Sequence, residues 1–215
     1  MAGFFKNLFG SRAGKSKPRK LPHPRDLRIG DIVKFQYIDQ SDVSGKEFEV
    51  SQINTYLYDD LCYPELVLKD RSSNIIYLMV EEEDGDEYLA LSKKVSKTQM
   101  SEIISHEDMS RILKQGSGIK IGIITKPLGF ESWLTDNYRV VDNNIIGSFV
   151  KGDARYLSSE EINRQEHFTS YILENSDNEY GLEIEVYKTG ETELSVTVYH
   201  DIEGIEEMWP GSVVE

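Results

Sequence analysis

The stretch YGLEIEVYKTGETELSVTVYH, residues 180–200, constrains the fold of this chain more than any other. Leu182, Ile184 and Val186 alternate with Glu183 and Glu185, and on the return Leu194, Val196 and Val198 alternate with Glu193, Ser195 and Thr197. Period-two alternation sends successive side chains to opposite faces of a sheet. The stretch therefore reads as an antiparallel hairpin with one buried face and one solvated face.

Similar β-type runs begin at Asp26. Strands are expected at 31–37, 46–58, 64–70, 74–82 and 86–94, separated by turn residues that include Asp84-Gly85, a strong short-range hairpin signal. Five short strands in so few residues fit a small barrel or a strongly curved sheet. A helical stretch follows. KTQMSEII is one candidate turn of helix. In SHEDMSRILKQG, Ser105 is a natural N-cap, Met109, Ile112 and Leu113 form one face, and Gly116 is a natural stop. Strands are expected again at 118–126, 137–146 and 167–175, and Ser158 and Glu161 resemble a capping box for a short helix. The final DIEGIEEMWPG reads as a turn or short helix that packs Ile205, Met208 and Trp209 on the sheet.

The two halves carry related patterns. LRIGDIVKF (27–35) aligns with IKIGIITKP (119–127) through Ile29/Ile121, Gly30/Gly122, Ile32/Ile124 and Lys34/Lys126, and Phe48-x-Val50 is answered by Tyr138-x-Val140. A tandem duplication of one small β unit would explain this spacing. The expected organisation is thus a mainly β protein of two small barrel or curved-sheet units, 26–96 and 118–215, joined by a helical connector at 97–117 and preceded by a basic segment, 1–25.

That opening segment differs from the body in charge. The first 25 residues hold seven Lys or Arg and no acid, which leaves 17 cations against 38 acids over residues 26–215 and a body charge of −21. So acidic a body is repelled by phosphate backbones, and nucleic acid is not an expected partner. Met1, Phe4, Phe5, Leu8 and Phe9 share one helical face, while Lys6, Arg12, Lys15, Lys17, Arg19 and Lys20 supply positive charge. This is the pattern of an interfacial anchor, in which each cation near an anionic leaflet adds about 1 kcal/mol. Docking of FFKNLF to a partner protein and an idle tail are the other readings. The segment lacks the continuous apolar core of a secretory signal, and Ala2 replaces the glycine that myristoylation needs. No apolar run approaches the length of a membrane span. The single cysteine, Cys62, forms no internal disulfide and reads as a small buried hydrophobe in LCYPELVL, which fits a reducing cytoplasm.

The search for chemistry yields no catalytic signature. There is no GxSxG, no phosphate-binding GK[ST] loop and no Cys/His nucleophile pairing. His23, His106, His167 and His200 lack metal-ligand spacing, although His167 and His200 border strands that could bring them together. No metal site and no cofactor is expected. Glu81, Glu82, Glu83, Asp84, Asp86 and Glu87 crowd around Gly85, which reads first as a solvated hairpin tip and secondly as a site for a cation. Tyr56, Tyr58, Tyr63, Tyr77 and Tyr88 cluster in the first β unit, and Trp133 lies in the loop GFESW. Tyrosines on strands mostly pack a sheet. An aromatic groove rimmed by acids would instead favour a cationic ligand.

Three segments taken together, MAGFFKNLFG, IGDIVKF…GKEFEV…PELVL…NIIYLMVEEE and LEIEVY…GETELSVTVYHDIEGIEEMWP, resemble an uncharacterised bacterial domain-of-unknown-function family. Its genes tend to occur beside phage-shock-type membrane-stress genes and sometimes beside polyamine-synthesis genes. The resemblance implies a cytoplasmic accessory role near the membrane and brings no catalytic residues. The leading expectation is a non-enzymatic cytoplasmic adaptor that binds a protein partner and touches the membrane surface in a stress response. The alternative is a β protein that binds a small polyamine-like cation. An enzyme would require a deep pocket where two carboxylates, or His167 with a carboxylate, converge with perturbed pKa values.

Overall fold

The computed structural model describes residues 19–59, 61–158, 161–162 and 165–211. Five strands come first: β1 (Ile32–Phe35), β2 (Glu47–Tyr58), β3 (Leu61–Lys69), β4 (Ile75–Glu83) and β5 (Asp86–Val95). Helices α1 (Lys97–Ile103) and α2 (His106–Gln115) follow. Six more strands follow among the described residues: β6 (Lys120–Gly122), β7 (Asn137–Val150), β8 (Glu166–Glu174), β9 (Tyr180–Tyr187), β10 (Thr192–Asp201) and β11 (Ile205–Trp209). The protein is mainly β, as its alternation predicts, and the two sets of strands meet in one antiparallel sheet ordered β11-β1-β2-β3-β4-β5-β10-β9-β8-β7-β6.

That sheet closes on itself. Thr55, Tyr56 and Leu57 at the end of β2 pair with Val150, Phe149 and Ser148 at the end of β7. Eight strands, β2-β3-β4-β5-β10-β9-β8-β7, therefore form a ring, with β1, β11 and β6 extending it beyond the seam. The two seam strands each serve different neighbours along their length: β2 pairs first with β1 and later with β7, and β7 first with β6 and later with β2. Register shifts between Val50 and Gln52 and between Val140 and Asp142 fall where the partners change. Bulges bend strands and increase twist, which is what a strand needs in order to leave one neighbour for another.

The order of strands is the same read from either end of the β5–β10 pair, β11 excepted. Ser92 Oγ and Thr197 Oγ1, paired across that junction, hydrogen-bond at 2.8 Å. Turn residues Ser73 and Asn178 both have positive φ, 69° and 58°, and close the β3–β4 and β8–β9 connections. Phe48 faces Val33 as Tyr138 faces Ile121. Gly30 and Gly118 each donate their N–H to the oxygen of Val50 and Val140 respectively, at 2.8 Å. Phe48-x-Val50 and Tyr138-x-Val140 thus occupy corresponding places, whereas Gly30 corresponds to Gly118 and not to Gly122.

One face of the sheet is aliphatic. Leu66, Leu68, Ile76, Leu78, Leu89, Leu91, Leu182, Ile184, Val196 and Val198 pack with Val33 and Phe35 of β1 and Ile121 of β6 in one core. Ile103, Ile104 and Ile112 of the helical connector join it, together with Val43, Phe130, Trp133 and Leu134 from the two loops that precede β2 and β7. Trp133, read above among the candidate ligand-facing aromatics, is fully buried there, with Nε1 donating to Asp42 Oδ1 at 2.9 Å. Lys93 bonds the other oxygen of Asp42 at 2.9 Å and lies over the rings of Phe130 and Trp133, so both loops are tied to β5.

Local signals hold where the backbone alone decides them. Ser105 caps α2, accepting the Asp108 N–H at 2.9 Å, and Gly116 follows the helix with φ 84°. Ser96 and Gln99 form a capping box on α1. Replacing Ser105 by alanine is expected to lower stability by about 1 kcal/mol. Urea titration would show this as a lower midpoint at unchanged slope. Asp84 and Gly85 form the expected turn, with φ 53° and 91°.

Three local expectations are corrected. The strand expected over 118–126 is only Lys120–Gly122, because the N–H groups of Ile124 and Thr125 are taken by the carbonyls of Ile103 and Glu102 at the end of α1. DIEGIEEMWPG is one 3-10 turn followed by β11, which fills the free edge of β1 with Trp209 opposite Ile32. Cys62 is exposed rather than buried, near the start of β3. At Ser158 both the N–H and the hydroxyl donate to Glu161 Oε2, at 2.8 and 2.7 Å, and several flanking residues lie outside the described ones.

Candidate functional site: a lumen of tyrosines and glutamates

The second face of the sheet turns inward. Lys94 on β5 lies 5.7 Å from the ring centroid of Phe149 on β7, a strand four places away around the ring in either direction. Tyr58 on β2 reaches Glu183 on β9. The residues meeting there are those that alternate with the aliphatic core: Asn54, Tyr56 and Tyr58; Tyr63 and Glu65; Tyr77, Met79 and Glu81; Tyr88, Ser92 and Lys94; then Glu183, Glu185, Ser195 and Tyr199. A cavity of about 290 Å³ there is lined by Tyr56, Tyr58, Tyr63, Glu65, Glu81 and Glu183. A second of about 320 Å³ shares Met79, Glu81, Ser92 and Glu183 and extends toward Tyr88, Glu174 and Tyr199.

Two glycines make room for these rings. A Cβ on Gly147 would sit 2.5 Å from Phe168 and 2.7 Å from Tyr58, and one on Gly181 would sit 2.7 Å from the Tyr199 hydroxyl. Tyr56, Tyr58, Phe149 and Phe168 pack edge to face at 5.2–5.8 Å beside the seam, and Tyr88 packs the same way on Tyr199 at 5.6 Å. Such contacts hold the aromatic walls in place.

The carboxyls among them are unusual. Glu65, 5% exposed, accepts from Asn54 at 2.8 Å. Glu183 accepts from Ser170 at 2.7 Å and Tyr58 at 3.4 Å. Glu81 accepts from Tyr88 at 3.1 Å. Glu185 is 3% exposed; one oxygen accepts from Tyr187 at 2.8 Å, and Oε1 has no hydrogen-bond partner among the described residues. Burial pushes all four upward, Glu81 to about 7 and Glu185 to about 8, because a low-dielectric site disfavours the charged form. For Glu185 the neighbouring Glu183 adds to the effect and Lys94 opposes it. The hydroxyls of Tyr56, Tyr58, Tyr88, Tyr187 and Tyr199 are pushed up for the same reason and stay protonated donors.

The expected acidic cluster divides. Glu82, Glu83, Asp84 and Asp86 are exposed at the hairpin tip, Glu81 turns into the lumen, and Glu87 bonds His23 at 2.9 Å and Arg25 at 3.1 Å. The five tyrosines Tyr56, Tyr58, Tyr63, Tyr77 and Tyr88 do share one face. His167 and His200 do not meet: the first bonds Ser148, the second Gln40. Among the described residues no group of His, Cys, Asp and Glu could hold a metal ion. Phe4, Phe5, Lys6, Leu8, Phe9, Arg12, Lys15 and Lys17 lie outside the described residues. Arg19 is bound to the body through Asp31 and the Asp26 carbonyl, and Lys20 is exposed. Among the described residues no helix is long and apolar enough to cross a membrane.

Sequence reasoning missed Glu65, Glu183, Glu185 and Lys94. The hairpin's polar face was expected to be solvated; ring closure puts it inside. One signal was present: Glu185 stands directly opposite Glu193 in the hairpin, a like-charge pair that is unfavourable on an ordinary sheet surface. No protein-family model, no curated protein and no solved structure matches this chain. The resemblance to the domain-of-unknown-function family rests on the quoted segments alone.

Proposed function

We propose that this protein binds a small organic cation, an amine of the polyamine class, inside the barrel. The observation that carries this reading is Oε1 of Glu185, buried among carboxyls and tyrosine rings and without a hydrogen-bond partner among the described residues. A buried carboxyl oxygen without a partner is costly, and a cluster of them costs more with each added charge. An ammonium group offsets that cost by charge-assisted hydrogen bonds and by attraction to aromatic faces. The lumen favours this reading over the adaptor expectation.

Isothermal titration of the full chain with spermidine and 1,5-diaminopentane tests it. Saturable heat is expected that strengthens from pH 6 to 8.5, as Glu81 and Glu185 lose their protons to solvent and the bound ammonium takes their place, and that is lost in E183Q/E185Q. Absence of heat with either amine at millimolar concentration overturns it. A second reading has its own observation, since Glu81 near 7 and Glu185 near 8 are poised for acid–base chemistry. Proton NMR of the amine after prolonged incubation separates the two: an unchanged amine is a ligand, a consumed one a substrate.

A further inference from the structure

Lys94 brings a cation of its own into the lumen. Its ammonium lies 2.7 Å from Glu193 and stands over the rings of Tyr77 and Phe149, with centroids at 5.6 and 5.7 Å. Glu65 and Glu185 add attraction from β3 and β9. Carboxylates on one side and aromatic faces on the other are what a recognition site for an ammonium group consists of. Glu81 and Glu183 form a second such place. Tyrosine hydroxyls and Ser170 bond them, Tyr56, Tyr58 and Tyr63 line the cavity beside them, and no lysine or arginine among the described residues bonds either one.

We propose that Lys94 is a tethered ammonium that fills one of two ammonium seats in the lumen, leaving the seat at Glu81 and Glu183 for a ligand, and so decides which amines the protein accepts. The inference rests on the lumen being an amine site. A free diamine entering the native barrel places one ammonium at the open seat and finds the other occupied. Its second charge then adds little over a monoamine. Removing the Lys94 ammonium opens both seats to one ligand.

The experiment compares the wild-type chain with K94M and with K94M/E193Q, in which both members of the ion pair are removed so that the charge balance is kept. Each is titrated at pH 8 with butylamine and with α,ω-diamines from 1,2-diaminoethane to 1,6-diaminohexane. In the wild type, no diamine is expected to bind substantially tighter than butylamine. In the variants, at least one diamine is expected to exceed butylamine by about tenfold or more. A lysine that merely neutralises buried acids would change stability and leave this ratio alone. Amine binding by wild type and variants with the ratio unchanged overturns the role of Lys94 and leaves the lumen site standing. Heat from none of the three chains with any amine overturns both.

Discussion

Raising the pH from about 4.5 to about 8 lowers the stability of the ligand-free protein, by on the order of 3 kcal/mol for Glu81 alone. Its carboxyl moves from an ordinary 4.5 to about 7 on folding, and that of Glu185 to about 8. Below the ordinary value both groups are protonated in the folded and unfolded chains and contribute nothing. Between 4.5 and 7 to 8 the unfolded chain ionises while the folded one keeps its protons, so the folded state binds more protons and stability falls as pH rises. Above about 8 the loss is complete.

The groups facing these carboxyls do not reverse the sign. Glu81 looks toward Tyr88, Glu83, Glu174 and Glu183, and Glu185 toward Tyr187, Glu183, Glu193 and the cation Lys94. Other groups act elsewhere on the scale. Asp70 and Asp153 are held low by hydrogen bonds from Ser72 and Arg155, and their stabilisation is lost only in acid. His200, kept neutral by burial, costs stability below its ordinary 6.5. Urea titrations from about pH 4.5 to 9 therefore span the whole loss, and their part above 6.5 is free of the His200 contribution. E81Q/E185Q is expected to flatten the slope of stability against pH, and a double variant that tracks the wild type would remove these two residues as its source.

The second large effect is expected at the seam. Substituting Gly147 by valine places a branched side chain where a single Cβ already comes within 2.5 Å of Phe168 and 2.7 Å of Tyr58. Both rings are locked in the edge-to-face cluster with Tyr56, and Ser148, the next residue, is the first of the three on β7 that pair with β2. Overpacking of this kind costs roughly 1–3 kcal/mol and more where neighbours cannot give. G147V is expected at the upper end, with faster amide exchange at the paired segments Thr55–Leu57 and Ser148–Val150. An unchanged melting temperature and unchanged exchange there would mean that the rings yield freely and that the seam is not packed as described.

Much of the fold was legible because local chemistry decides it. Asp84-Gly85 turns, Ser105 caps, and the alternation of Leu182, Ile184 and Val186 sets one face of β9 to the core whatever lies beyond. The site was legible only in part. Five tyrosines of the first half could be grouped because they lie within one meander, where sequence neighbours are also sheet neighbours. Glu183 and Lys94 meet only because β10 lies between β5 and β9, and Tyr58 meets Glu183 only because β2 joins β7. The β11 strand escaped for a related reason: whether IEEMW pairs depends on a free edge at β1, some 170 residues earlier in the chain.

By itself, then, the sequence determined that this is a β-rich chain with two strand-bearing halves about a helical connector, and which residues of each strand share a face. Those are properties of neighbours along the backbone, set by turn chemistry and by the period of the pleat. Only the tertiary structure decided which of the two faces meets water. Three backbone pairings between Thr55–Leu57 and Ser148–Val150 close the sheet, and closure turns a polar surface into an interior. The same glutamates that would be unremarkable in solvent become a buried, poorly solvated cluster, and that change of dielectric is what makes them a site.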